Sequence, residues 1–81
     1  MDIKTFEYKM RDRAGLRITK DLHIWRNEKK HPVMIDNLRK ENERFYFDSY
    51  QEMYEFTLPD GRKVKNLIDR ITDEDFKMVL Q

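Results

Sequence analysis

Only four residues of this 81-residue chain are glycine or proline: Gly15, Pro32, Pro59 and Gly61. They are the natural breaks in the backbone, so each predicted element has to fit between them. In the first interval Phe6, Tyr8 and Met10 alternate with Glu7, Lys9 and Arg11, the period of a strand with one buried face. Ala14-Gly15 reads as a turn, after which Leu16 and Ile18 begin a second strand. Residues 19–30 admit two readings. Leu22 and Trp25 fit a helix capped by Thr19, while Leu22-His23-Ile24-Trp25 also reads as an extended run, and the strand is preferred. Pro32 suits the first turn of a helix, where its missing N–H has no partner to lose, and Met34, Ile35 and Leu38 would share one face of it. Residues 43–48 are rich in β-formers and predict a further strand.

Ser49 marks the sharpest boundary. Ser49-Tyr50-Gln51-Glu52 has the form of a capping box, with Met53, Tyr54 and Phe56 following on a short helix. A rival reading takes Tyr54, Phe56 and Leu58 as a strand entering a hairpin at Pro59-Asp60-Gly61. Beyond Gly61, Val64, Leu67, Ile68 and Ile71 fall at i, i+3, i+4 and i+7 and predict a helix. Thr72-Asp73-Glu74-Asp75 looks like a second capping box, whose acidic first turn complements the helix dipole, with Phe76, Val79 and Leu80 as the buried stripe. The expected fold class is α+β: a small antiparallel sheet from the N-terminal half, packed against two or three short C-terminal helices, in one compact domain over 1–81.

With 38% hydrophobic and 41% charged residues, such a domain has little apolar material, and its 12% of aromatic residues must carry much of the core. The absence of cysteine removes disulfides, thiolate metal sites and thiol nucleophiles together. The first residues show no apolar stretch resembling a signal peptide and nothing approaches a membrane span, so a cytoplasmic location with no membrane partner is expected.

Catalytic signatures are scarce. Ser49 is the only serine, has no flanking glycine of the nucleophile-elbow kind, and is better explained as a cap. Two isolated glycines cannot build a phosphate-cradling loop. His23 and His31 stand eight residues apart in no known ligand spacing, and Asp73, Glu74 and Asp75 would diverge around a helix. The chain is therefore expected to have no catalytic residue, no metal and no cofactor, and not to be an enzyme.

Binding is the better-supported class. Net charge is only +1, but residues 1–31 sum to +4, 32–60 to −4 and 61–81 to +1. Among the aromatic residues, Trp25, Tyr46, Tyr50 and Tyr54 are the expected anchors for a protein partner, with Asp48 and Glu52 beside them. In composition the chain is similar to the small, charged, cysteine-free accessory proteins of phages and mobile elements, many of which inhibit host machinery by binding it. That similarity implies an inhibitor or regulator acting by surface occlusion. Against a nuclease or a related enzyme, Asp36, Glu41, Glu43, Asp48, Glu52 and Glu55 would mimic phosphate if they formed one contiguous face. The alternative is a small nucleic-acid-binding protein using Arg26, Lys29, Lys30, Arg62, Lys63 and Lys65 as a basic patch. A homodimer is compatible with either reading, because a thin core gains from a second copy.

Overall fold

The computed structural model describes residues 1–27 and 30–77. It opens with a helix, α1 (Ile3–Met10), where the sequence alternation predicts a strand. Asp2 decides the matter locally, since its carboxylate accepts the Thr5 N–H at 2.8 Å and caps the first turn. Ile3, Phe6 and Met10 then fall at i, i+3 and i+7 and are buried on one face, while Tyr8 points outward at 66% exposure.

Four strands follow: β1 (Gly15–Arg17), β2 (Leu22–Arg26), β3 (Val33–Asn37) and β4 (Arg44–Phe47). They pair antiparallel in the order β1-β2-β3-β4. At the first connection the Thr19 hydroxyl accepts the N–H groups of Asp21 and Leu22, at 3.3 and 3.1 Å. The preferred extended reading of 22–25 is the one adopted. The helix expected from Pro32 is not formed. Val33, Ile35 and Asn37 are buried while Met34 and Asp36 are half-buried, the alternation of a strand, and β3 is paired along both edges. β-Branched residues suit that central position, and Leu38 lies exposed beyond it. Asn42 turns the β3–β4 connection with a φ of 67°, a left-handed conformation that asparagine tolerates.

At the end of β4 the Ser49 hydroxyl accepts the Glu52 N–H at 3.0 Å and starts α2 (Tyr50–Tyr54), as the capping pattern predicts. The rival hairpin exists as well, directly downstream. Thr57 bridges Lys63, Leu58 N–H donates to the Arg62 carbonyl at 2.8 Å, and Gly61 makes the turn with a φ of 95°. Next come α3 (Val64–Asp69) and α4 (Asp73–Lys77), the latter capped where Thr72 N–H donates to the Asp75 carboxylate at 2.8 Å. Val79 and Leu80 lie outside the described residues. The architecture is thus α+β, with the sheet from the N-terminal half as expected and with one more helix, α1, packed against α2 and α3. Buried side chains from one sheet face (Leu22, Ile24, Val33, Ile35) and from the helices (Phe6, Met10, Met53, Val64, Ile68) form a single apolar cluster. No helix among the described residues is long and apolar enough to cross a membrane.

Arg62 ties the small 57–63 hairpin to the sheet. Its guanidinium donates to both oxygens of Asp21, at 3.1 and 2.8 Å, and also to Asp60. These bonds, with a further one from the Thr19 hydroxyl, hold the Asp21 carboxyl well below the usual carboxylate range. A depressed folded-state pKa contributes stability above the unfolded value of about 3.9 and loses it as pH falls below that. Thermal melts from neutral to acidic pH are therefore expected to fall more steeply below about pH 4 in the wild type than in Asp21→Asn. Parallel curves would remove this pair from the acid response.

Candidate interaction surface

Successive side chains of a strand point to opposite faces, so the register fixes what the sheet turns away from the core. Leu16, Ile24, Ile35 and Phe45 are partners across the four strands and lie on the core side. On either side of that row, two rows point outward. One is Gly15–Trp25–Met34–Tyr46, the other Arg17–His23–Asp36–Arg44. Trp25 is 36% exposed and Tyr46 47%, with Met34 half-buried between them. Side chains directly opposite on neighbouring strands sit about 5 Å apart, so the three form a continuous apolar strip.

Gly15 supplies space rather than a side chain. A Cβ there would lie 2.5 Å from His23 Cε1, 2.7 Å from Trp25 Cε3 and 2.8 Å from the Ile24 carbonyl oxygen. The rings of His23 and Trp25 stack over this gap with centroids 4.0 Å apart and planes 22° from parallel. His23 is only 7% exposed, and burial pushes its pKa below the ordinary histidine value, so the ring is neutral at neutral pH. Among the described residues nothing bonds to its buried Nδ1. Around the strip stand charged groups: Arg44 lies 3.6 Å from Asp36, and His31, whose ring centroid is 5.6 Å from that of Tyr46, bonds through Nδ1 to Asp48 at 2.9 Å. Apolar area ringed by guanidinium and carboxylate groups is suited to recognition of another surface.

The structure therefore brings two of the four expected aromatic anchors together, Trp25 and Tyr46. Tyr50 does not join them. It opens α2 on the core side, 7% exposed, with its ring 6.2 Å from Phe6. Tyr54 is half-buried and donates its hydroxyl to Asp69 at 2.7 Å, which holds it between α2 and α3. Asp48 borders the outer face through His31, whereas Glu52 is exposed on α2.

Among the described residues the basic side chains do not make one patch. Arg26 ends β2, whereas Arg62 is bound to Asp21 just before β2 begins, so the two clusters stand about 16 Å apart along the strand. Lys63 and Lys65 are exposed beside Arg62, Lys30 lies near Arg26, and Lys29 is outside the described residues. Nor do the acidic residues form one face. Asp36 is on the outer side of the sheet paired with Arg44, Glu43 bonds to Asn37, and Glu52 and Glu55 project from α2 on the other side. Phosphate mimicry loses its geometric requirement.

Sequence reasoning missed Met34, because the helix expected from Pro32 placed it in a core stripe. Read as a strand, 33–37 would have put Met34 opposite Val33 and Ile35. Among the described residues no group of three or more histidine, aspartate or glutamate side chains could hold a metal ion. Comparison of the chain with protein-family models, with curated proteins and with solved structures finds no match.

Proposed function

We propose that this protein is a non-enzymatic interaction module that inhibits or regulates a protein partner by covering part of its surface, and that the outer face of the sheet makes the contact. The observation that carries this reading is the strip Trp25–Met34–Tyr46, which places two amphipathic aromatic side chains on adjoining positions of a rigid sheet. Tryptophan and tyrosine dominate binding energy at interfaces because they bury large area at small entropic cost. Four strands of up to five residues span roughly 14 by 16 Å, the size of an energetic centre rather than a full interface. Arg17, Arg44 and the His31–Asp48 pair would then serve as rim. With two arginines against the single Asp36 in the second row, the rim favours a partner with an apolar centre and acidic surroundings. The lack of cysteine supports a reducing, cytoplasmic setting, in keeping with the compositional similarity to phage and mobile-element accessory proteins.

The test compares wild type with Tyr46→Ala in affinity capture from host lysate, with and without nuclease, and in light scattering. The expected result is a discrete protein that survives nuclease and whose recovery falls at least tenfold with Tyr46→Ala, a typical loss for an aromatic anchor. Equal capture by the variant overturns the site. Loss of the captured material on nuclease treatment transfers function to nucleic acid, and a wild-type dimer dispersed by Tyr46→Ala assigns the face to a second copy of the chain.

A further inference from the structure

An open sheet has two edges, and in this protein they are unlike. Arg26 N–H donates to the Ala14 carbonyl at 2.8 Å and Ile18 N–H to the Leu22 carbonyl at 3.0 Å. Hydrogen-bonded pairs alternate along an antiparallel ladder, so Gly15 and Arg17 are the residues whose backbone groups β1 turns outward. That edge is three residues long and guarded: Arg13 Nε donates to the Gly15 carbonyl at 3.3 Å, and Arg13 Nη1 to the Phe76 carbonyl of α4. At the other edge Asn37 N–H donates to the Glu43 carbonyl at 3.0 Å, which makes Ile35–Phe45 and Val33–Phe47 the hydrogen-bonded pairs of β3 and β4. The N–H and C=O groups of Arg44 and Tyr46 therefore face away from β3, and among the described residues nothing bonds to them. β4 also lacks the devices that protect an edge: it has no lysine, proline or bulge, and its Phe45-Tyr46-Phe47 run favours pairing.

We propose that β4 pairs antiparallel with β4 of a second copy, Tyr46 opposite Tyr46 about a two-fold axis, joining the two sheets into one of eight strands. Charge selects this occupant and this register. Centred on Tyr46, the pairing sets Arg44 opposite Asp48 of the second copy on the outer side, and Phe45 opposite Phe47 of the second copy on the core side. The Arg44 and Asp48 side chains are 53% and 76% exposed, with Asp36 and His31 as their neighbours within the chain. Neither has to release its neighbour, because the row Asp36–Arg44 meets Asp48–His31 of the second copy with acid beside base throughout. Centring on Arg44 would set like charges together, and centring on Phe45 or Phe47 would set Tyr46 against Arg44 or Asp48 with no ion pair. On the core side Phe45, half-buried with its ring 5.1 Å from that of Phe56, gains a second aromatic neighbour.

The outer face changes in size as a result. The strip Trp25–Met34–Tyr46 continues across the axis as Tyr46–Met34–Trp25 of the second copy. Eight strands span roughly 34 by 16 Å, closer to the roughly 800 Å² that a standard interface buries on each side. The pairing uses the edge, leaves that face open, and does not rest on the partner reading above.

The test is sedimentation velocity on the full chain from micromolar to millimolar concentration. The expected result is a wild-type monomer–dimer equilibrium that Arg44→Asp and Asp48→Arg each weaken at least tenfold, since each sets like charges opposite one another twice. An equimolar mixture of the two variants should recover the dimer, because every altered side chain then meets its opposite charge. Poor folding of either variant cannot produce that recovery. Tyr46→Ala keeps the main-chain bonds and should weaken the dimer no more than about fivefold, the scale of one cross-strand pair. In the wild type the Arg44 and Tyr46 amides should exchange more slowly at dimeric than at monomeric concentration. The proposal is overturned by a monomer throughout, by single variants that dimerise like wild type, by a mixture that stays monomeric, or by edge amides whose exchange ignores concentration. A dimer dispersed by Tyr46→Ala but not by Arg44→Asp also overturns it, moving the contact from the edge to the outer face.

Discussion

Replacing Phe6 with alanine is expected to leave most of the chain unfolded at physiological temperature. The Phe6 side chain has no exposure, and its ring lies 5.6 Å from Phe76 in an edge contact and 6.2 Å from Tyr50. It therefore joins α1, α2 and α4 at one point. Emptying such a site costs about 3–5 kcal/mol, the lost transfer energy plus the cavity. A domain of this length has a total stability of about 4–12 kcal/mol, and so few apolar residues place this one toward the lower end. The substitution removes most of that. Urea denaturation followed by circular dichroism measures it, with Phe6→Leu as the variant that keeps most of the volume and should remain folded. A midpoint for Phe6→Ala close to wild type would show that α1 stands outside the cooperative core.

The second large effect belongs to Gly15→Ala. Adding one methyl group is normally benign in a strand, but here the new carbon would meet two stacked rings and a backbone carbonyl, all within 2.8 Å. Either His23 and Trp25 swing away or the three-residue β1 separates from β2. Overpacking of this kind costs about 1–3 kcal/mol, which lowers the melting temperature by at least about 5 °C in a domain of this size. Because Trp25 is one of the rings displaced, partner capture is expected to fall as well, although Gly15 offers a partner no side chain. Unchanged melting together with an unaltered Trp25 side-chain resonance would show that the sheet edge relaxes at little cost.

The parts of the fold that local chemistry decides were legible. Ser49 and Thr72 announce α2 and α4 because a cap is satisfied within three residues of itself. Two other segments carried patterns compatible with both helix and strand. Phe6, Tyr8 and Met10 alternate, yet Ile3, Phe6 and Met10 also recur at helical spacing, and it is the Asp2 cap that settles the choice. Around Pro32, a helical stripe through Met34, Ile35 and Leu38 competes with an alternation through Val33 and Ile35. The alternation prevails because β3 gains pairing partners on both edges, which no window of sequence displays.

The same division runs through the candidate site. Trp25 and Tyr46 could be named as anchors from their chemistry, but their alignment through Met34 depends on register across three strands. Tyr46 and Tyr50, four residues apart, look equivalent in sequence; the end of β4 and the start of α2 send one outward and the other into the core. Arg62 reads as a surface cation until the fold delivers Asp21, 41 residues away, to its guanidinium.

Trp25 is the chain's only tryptophan, and it lies at the centre of the outer face, stacked on a histidine. Its intrinsic fluorescence is consequently a built-in optical reporter of that one location. Covering the face dries the indole and moves emission to shorter wavelength, whereas loss of the sheet wets it and moves emission the other way. Occupancy and unfolding can thus be told apart on unlabelled protein by the direction of a single spectral shift.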